Sequence, residues 1–265
     1  YPLNEYSMYG AVPLRDIKHQ LLTLKAAGKL DQVRMLLLTN CTFDGLVYNV
    51  ERVMEECLAI KPDLIFLWDE AWFAFARFNP TYRQRTGMNA ANTLREKFKS
   101  VKHLEAYEKQ QKTLKDADDE TLLSTRLIPS PKSRVRVYTT QSTHKTLTSL
   151  RQGSMIHVND QDFKGEVEQS FHEAYMTHTS TSPNYQIIAS LDVGRRQVEL
   201  EGFEFVQRQI EAALSMRRAI ADHPLLNKYF KVLTAGDMIP EEYRESGVTS
   251  YYDQQQGWTD MWDCW

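Results

Sequence analysis

Apolar positions along the chain follow two alternating rhythms. Residues 16–30 carry Ile17, Leu21, Leu22 and Leu24 at helical spacing with Gly28 near the end, which predicts a short helix. Residues 33–38 are a near-continuous apolar run, as in a parallel strand covered on both faces. Over residues 46–60, Val50, Val53, Met54, Cys57 and Leu58 return to helical spacing, and Lys61-Pro62 ends the helix. A second short apolar run occupies residues 64–68. Strand, helix and strand in so short a span make a β-α-β unit, and with it an α/β domain.

The character then changes. Residues 89–119 are rich in Lys, Glu and Gln, with Leu94, Phe98, Val101, Leu104 and Tyr107 at steps of three and four, which predicts one amphipathic surface helix. Ile128-Pro129-Ser130-Pro131 closes it as a loop, so residues 89–133 read as a helical surface insertion. Further strands are expected at residues 135–138 and 154–158. Residues 187–221 are helical and mostly amphipathic, with an interruption expected near Gly194 or Gly202.

Composition narrows the function classes. The chain is 42% hydrophobic and 25% charged, a globular balance that excludes a disordered or collagen-like chain. A net charge of −3 gives no field favouring nucleic acid, and no apolar run is long enough for a membrane-spanning helix, so neither partner is expected. Cys41, Cys57 and Cys264 form no C-x-x-C pair, so no disulfide framework and no metal site are indicated, and a reducing, cytoplasmic setting is the plain reading. The 265 residues open on Tyr1-Pro2-Leu3 and close on a segment, 258–265, holding three of the five tryptophans. Both ends read as cuts, and the chain is expected to be an excerpt of a longer protein that is inactive and self-associating when made alone.

Three segments carry candidate chemistry. The first is Thr139-Thr140-Gln141-Ser142-Thr143-His144-Lys145, directly after the third expected strand. A lysine there, preceded by small hydroxyl residues, suits imine formation with an aldehyde cofactor such as pyridoxal phosphate. A solvated lysine at the start of a helix is the ordinary alternative. The second is Asp69, at the end of the 64–68 strand, the edge where open α/β sheets bind ligands. A carboxylate about 4 Å from a pyridinium, at an effective dielectric near 20, stabilises it by roughly 4 kcal/mol. That corresponds to about three pKa units, enough to keep the ring cationic. If the strand continues, Asp69 and Ala71 face the same side, and the small residue lets a ring lie flat; an aspartate capping the next helix is the alternative. The third is His178-Thr179-Ser180-Thr181-Ser182-Pro183-Asn184-Tyr185, whose hydroxyls suit a phosphate or an ordinary turn and cap.

Together these segments resemble the bacterial ornithine/lysine/arginine decarboxylases, fold-type-I enzymes that use pyridoxal phosphate. Gln141 to Lys145 with Leu150-Arg151-Gln152-Gly153-Ser154-Met155-Ile156-His157-Val158 is similar to the family's cofactor-attachment signature. Thr39-Asn40-Cys41-Thr42-Phe43-Asp44-Gly45-Leu46-Val47-Tyr48-Asn49 resembles its strand-turn-helix, Trp68-Asp69-Glu70-Ala71-Trp72 its aspartate motif, and Glu173-Ala174-Tyr175-Met176 with Thr179 to Tyr185 its next block. The resemblance implies an aspartate-aminotransferase-like large domain, a three-layer α/β/α arrangement with a mainly parallel sheet, incomplete at both ends. Residues 1–265 would be its central portion, and residues 186–265 would lead toward a C-terminal domain.

The same resemblance implies roles. Lys145 would attach the cofactor, Asp69 would pair with its pyridine nitrogen, Ala71 would pack on the ring and Ser142 would contact the phosphate. His144 would stand beside the lysine as a catalytic group, while Thr179, Ser180 and Thr181 would reach the phosphate across a dimer interface, making the protein at least a homodimer. Trp72 and His157 fit the pattern, but core packing explains them equally well. The stretch from Asp69 to Lys145 is longer than in better-known members, and residues 89–133 are the excess. The implied activity is decarboxylation of lysine, ornithine or arginine to the amine. The alternatives are another fold-type-I enzyme, such as an aminotransferase, or a silent relative serving in assembly.

Overall fold

The computed structural model describes residues 11–233 and 237. The tryptophan-rich segment 258–265 lies outside the described residues. The chain begins with α1 (Leu14–Ala26), β1 (Met35–Thr39), α2 (Val50–Ile60) and β2 (Ile65–Asp69). It continues through α3 (Pro80–Arg83), α4 (Gly87–Lys97), α5 (Val101–Thr113) and α6 (Asp119–Ser124) to β3 (Arg136–Ser142). β4 (Ser154–Asp160), α7 (Glu168–His178) and α8 (Tyr185–Asp222) follow.

The four strands form one sheet in the order β1-β2-β3-β4. β1, β2 and β3 are parallel, and β4 closes the edge antiparallel to β3. The expected α/β class with a mainly parallel sheet is therefore what forms. Both parallel connections pass through helices, as a crossover between parallel strands requires. Register places Thr39, Asp69 and Thr140 side by side at the C-terminal ends of the three parallel strands. Backbone bonds carry the zipper one step further, with Asn40 N–H donating to Asp69 O and Glu70 N–H to Thr140 O, each at 2.8 Å.

Alternation along the strands sorts the two faces. Leu38, Phe66, Trp68, Val135 and Val137 face α1, α2 and α4, and they share one core with Ile17, Leu21, Val53, Met54, Leu58, Ala91 and Leu94 of those helices. The other face carries Met35, Leu37, Asp69, Tyr138 and Thr140. There Tyr138 stacks on Phe171 of α7 at 6.3 Å, whereas Met35 and Leu37 are exposed. Behind the core, the buried Lys18 ammonium donates to Glu56 Oε2 at 2.7 Å and to the carbonyls of Leu123 and Thr125, tying α1, α2 and α6 together.

Three expectations are corrected. The single helix over residues 89–119 is two helices, broken where Ser100 caps α5 by accepting from the His103 N–H. α4 is no surface element: Ala90, Ala91 and Leu94 are buried in the core, joined by Phe98, Leu123 and Leu127 from the same 89–133 stretch. The interruption near Gly194 or Gly202 is absent, since α8 runs unbroken for 38 residues. Both glycines are instead points of close approach. A Cβ at Gly194 would meet the Thr148 carbonyl at 3.0 Å, and one at Gly202 would meet the Phe78 ring at 2.7 Å.

Candidate active site

The site is assembled at the C-terminal edge of the parallel strands. Asp69 is the last residue of β2, half-buried, with its side chain on the face shared by Thr140 and Ser142. The chain does not stay extended beyond it, which corrects the shared orientation expected for Asp69 and Ala71. Asp69 Oδ1 accepts from the Ala71 N–H at 3.1 Å and from Thr140 Oγ1 at 3.4 Å, so the aspartate also caps the turn that follows. Both bonds fall on Oδ1 and leave Oδ2 for another donor. Ala71 is half-buried beside it.

β3 extends through Ser142, four residues further than the run 135–138 indicated, because Thr139 to Ser142 pair with Ser154 to His157 of β4. Lys145 therefore stands in a turn of the β3–β4 connection, not at a helix start. That connection is held at several points: Thr143 N–H donates to Gly153 O at 3.2 Å, His144 Nδ1 donates to the same carbonyl at 2.9 Å, and Leu150 N–H donates to Ser190 Oγ of α8 at 3.0 Å. Ser142 is buried at the end of β3. The exposed Lys145 places its ammonium 5.3 Å from the centre of the Trp72 ring, and Phe43 meets that ring edge-on at 5.9 Å.

The structure thus brings Lys145 to the segment that follows Asp69. Thr179, Ser180 and Thr181 are not part of this grouping; they are exposed after α7, where Ser180 Oγ accepts from the Ser182 N–H at 3.1 Å. Trp72 does not serve core packing alone: it is exposed, and its ring meets the Lys145 ammonium. Its place three positions after Asp69 was the available signal.

A second set of side chains lies beneath the edge, on the helix-facing side. Glu70 is fully buried and accepts from Gly87 N–H at 2.6 Å, Gln141 Nε2 at 2.9 Å and Asn40 Nδ2 at 3.4 Å. Burial pushes its carboxyl up to about 7, against the pull of those donors. Gln141 Oε1 in turn lies 3.1 Å from His157 Nε2, and burial holds the His157 imidazole below its ordinary pKa.

Among the described residues no cluster of His, Cys, Asp and Glu suits a metal ion, and no helix is long and apolar enough to cross a membrane. The donor set does fit pyridoxal phosphate: an amine on Lys145, an open carboxylate oxygen on Asp69, and the hydroxyls of Thr143 and Thr146 flanking the lysine, buried without partners.

Asp69 thus ends one parallel strand and Lys145 stands in the turn after the next. A family model described as the Orn/Lys/Arg decarboxylase major domain matches residues 2–120 and 124–243, and the chain belongs to that family. It is 33% identical over 226 residues to the lysine decarboxylase LdcA of Pseudomonas aeruginosa, covering 83% of this chain and 25% of that protein. It is 28% identical to the biodegradative arginine decarboxylase of Escherichia coli over all of its own length and 30% of that protein. Among solved structures, the constitutive lysine decarboxylase of E. coli matches with a TM-score of 0.55 at 25% identity, over 88% of this chain and 26% of that one. The chain therefore spans about a quarter of the length of these relatives.

Proposed function

We propose that this chain is part of a pyridoxal-phosphate-dependent decarboxylase that converts lysine, ornithine or arginine to the corresponding amine and CO2. The observation that carries the reading is the pairing of the Asp69 edge with the Lys145 turn, in a chain whose relatives are named lysine, arginine and ornithine decarboxylases. When bound, the cofactor supplies an electron-accepting ring for the electrons left as CO2 departs.

This chain's own residues have the following parts. Lys145 would hold the cofactor through its amine, and Asp69 Oδ2 would accept a hydrogen bond from its protonated ring nitrogen and keep it cationic. Ala71 leaves room for the ring, and Ser142 contributes its hydroxyl to the phosphate. His144, fixed by its bond to the Gly153 carbonyl, flanks the lysine. Thr179, Ser180 and Thr181, exposed here, reach the phosphate of a second copy, so the working form is at least a homodimer. The free thiols of Cys41 and Cys57 suit a cytoplasmic protein. The test is to incubate the intact protein with pyridoxal phosphate and each of the three amino acids, then separate the amines formed. One amine should accumulate from one preferred substrate. No amine from any of them, and no visible absorption from lysine-bound cofactor, overturns the reading.

A further inference from the structure

Glu70 follows Asp69 and, by strand alternation, points to the opposite face, into the interior under the start of α4. An ionised carboxylate only accepts hydrogen bonds, so it fixes which end of the Gln141 amide faces it: Nε2. Gln141 Oε1 is then turned to His157 Nε2, and that nitrogen must carry the proton. Asn40 is oriented in the same way, with Nδ2 toward Glu70 and the Arg85 carbonyl and Oδ1 accepting from the Tyr48 N–H. One carboxylate thereby sets the polarity of side chains following β1, on β3 and on β4, and it accepts the backbone N–H of Gly87 at the start of α4. Two of these anchor points adjoin the site: Glu70 is peptide-bonded to Asp69, and Gln141 leads through Ser142 into the Lys145 turn.

We propose that Glu70 is a positioning residue of this site: its buried carboxylate sets the direction of the Glu70–Gln141–His157 hydrogen-bond chain and so fixes Asp69 and the Lys145 turn relative to each other. The effect on turnover rests on the decarboxylase reading; the direction of the chain does not. Asp69 is the charged group beside Glu70, and its negative charge raises the Glu70 carboxyl further. His157 is the titratable group at the far end, so measurements belong near pH 8, where Glu70 is ionised and His157 neutral.

The substitution Glu70→Gln keeps the shape but reverses the chain. Its amide oxygen must serve the Gly87 N–H, which leaves its NH2 toward Gln141. Gln141 must then turn over and offer its own NH2 to His157, whose proton moves to Nδ1. The swapped pair Glu70→Gln with Gln141→Glu reverses only the bond between positions 70 and 141 and again presents His157 Nε2 with an acceptor, the carboxylate now lying one side chain further along.

In the intact protein, the His157 tautomer is read from 15N magic-angle-spinning spectra of histidine-labelled samples, assigned with His157→Asn. Amine release gives kcat and KM. Glu70→Gln should move the proton from Nε2 to Nδ1 and lower kcat by about tenfold or more, with KM within about threefold. The swapped pair should return the proton to Nε2 and kcat to within about threefold of wild type. An unmoved tautomer in Glu70→Gln, an unchanged kcat despite a moved tautomer, or a swap that rescues neither, overturns the proposal. Should Glu70→Gln not fold, the swapped pair decides alone by the same two readouts. A wild type that makes no amine sinks the decarboxylase reading, while the tautomer still decides the direction of the chain.

Discussion

Asp69 divides its work between two oxygens, and the division separates two effects of mutation. Oδ1 holds the turn through the Ala71 N–H, whereas Oδ2 is the atom that the proposed function assigns to a ring nitrogen. Asp69→Asn keeps an oxygen for Ala71 but loses the charge. It should retain the thermal midpoint and bound cofactor while turnover falls by roughly a thousandfold, the rate equivalent of about 4 kcal/mol of lost pairing. Asp69→Ala should lose both, which melting curves and amine assays run together will distinguish; an Asn variant within tenfold of wild type would count against the ring-pairing role. Lys145→Ala should abolish the visible band of lysine-bound cofactor, and a surviving, borohydride-reducible band would reassign the attachment. Glu70 predicts a pH dependence of stability. Its carboxyl is raised from an ordinary 4.5 to about 7, so between those values the folded chain holds a proton the unfolded chain has released. Stability must fall as pH rises through that window and level off above it, by about 3 kcal/mol in all. Urea midpoints at about pH 5 and about pH 8 should show this slope in wild type and not in Glu70→Gln. The placement of Asp69 and Lys145 at the sheet edge was legible in the sequence because motif and strand end coincide. Glu70 carries a signal too, since of two consecutive carboxylates at the end of a buried strand one points inward, although the aspartate motif marks only Asp69.

At the scale of elements, apolar spacing located all four strands and the longer helices except α7, passed over the short α3 and α6, and misjudged what the helices are for. Leu94 belongs to a Lys- and Glu-rich stretch, yet it is fully buried, because the polar composition of that stretch comes mostly from α5 and not from α4. Composition averaged over two helices of opposite exposure hid the buried one. Leu94→Ala should therefore cost about 2–5 kcal/mol in denaturant unfolding, the usual range for a buried leucine, and a loss below about 0.5 kcal/mol would mean that α4 is peripheral after all. The glycines of α8 misled for a related reason. A glycine in a helical pattern reads as a break, but here its missing side chain is what a neighbour needs. Gly202→Ala would ordinarily favour a helix by about 1 kcal/mol. Against the Phe78 ring it should lower the melting temperature instead, and a rise would show that the ring yields without cost.

For the molecule as a whole, one face of the sheet is open at β1, where Met35 and Leu37 are 46% and 57% exposed, and α8 exposes Leu200 and Phe203. Apolar surface of that kind suits a covering partner, in keeping with the proposed homodimer. Sedimentation of the intact protein should give at least twice the subunit mass, and a monomer that releases amine at full rate would rule out a site shared between copies. α8 touches the Lys145 connection at Ser190 and Gly194, and the segment after Asp69 and Trp72 at Gly202, against Phe78, and at Gln207, bonded to Asn79. A helix advances about 1.5 Å and turns about 100° per residue. It therefore acts as a ruler between the two halves of the site, with its graduations fixed by the backbone. Inserting or deleting one residue between the two glycines would swing one mark out of register whichever end was kept. The residues along that span can vary; their number cannot.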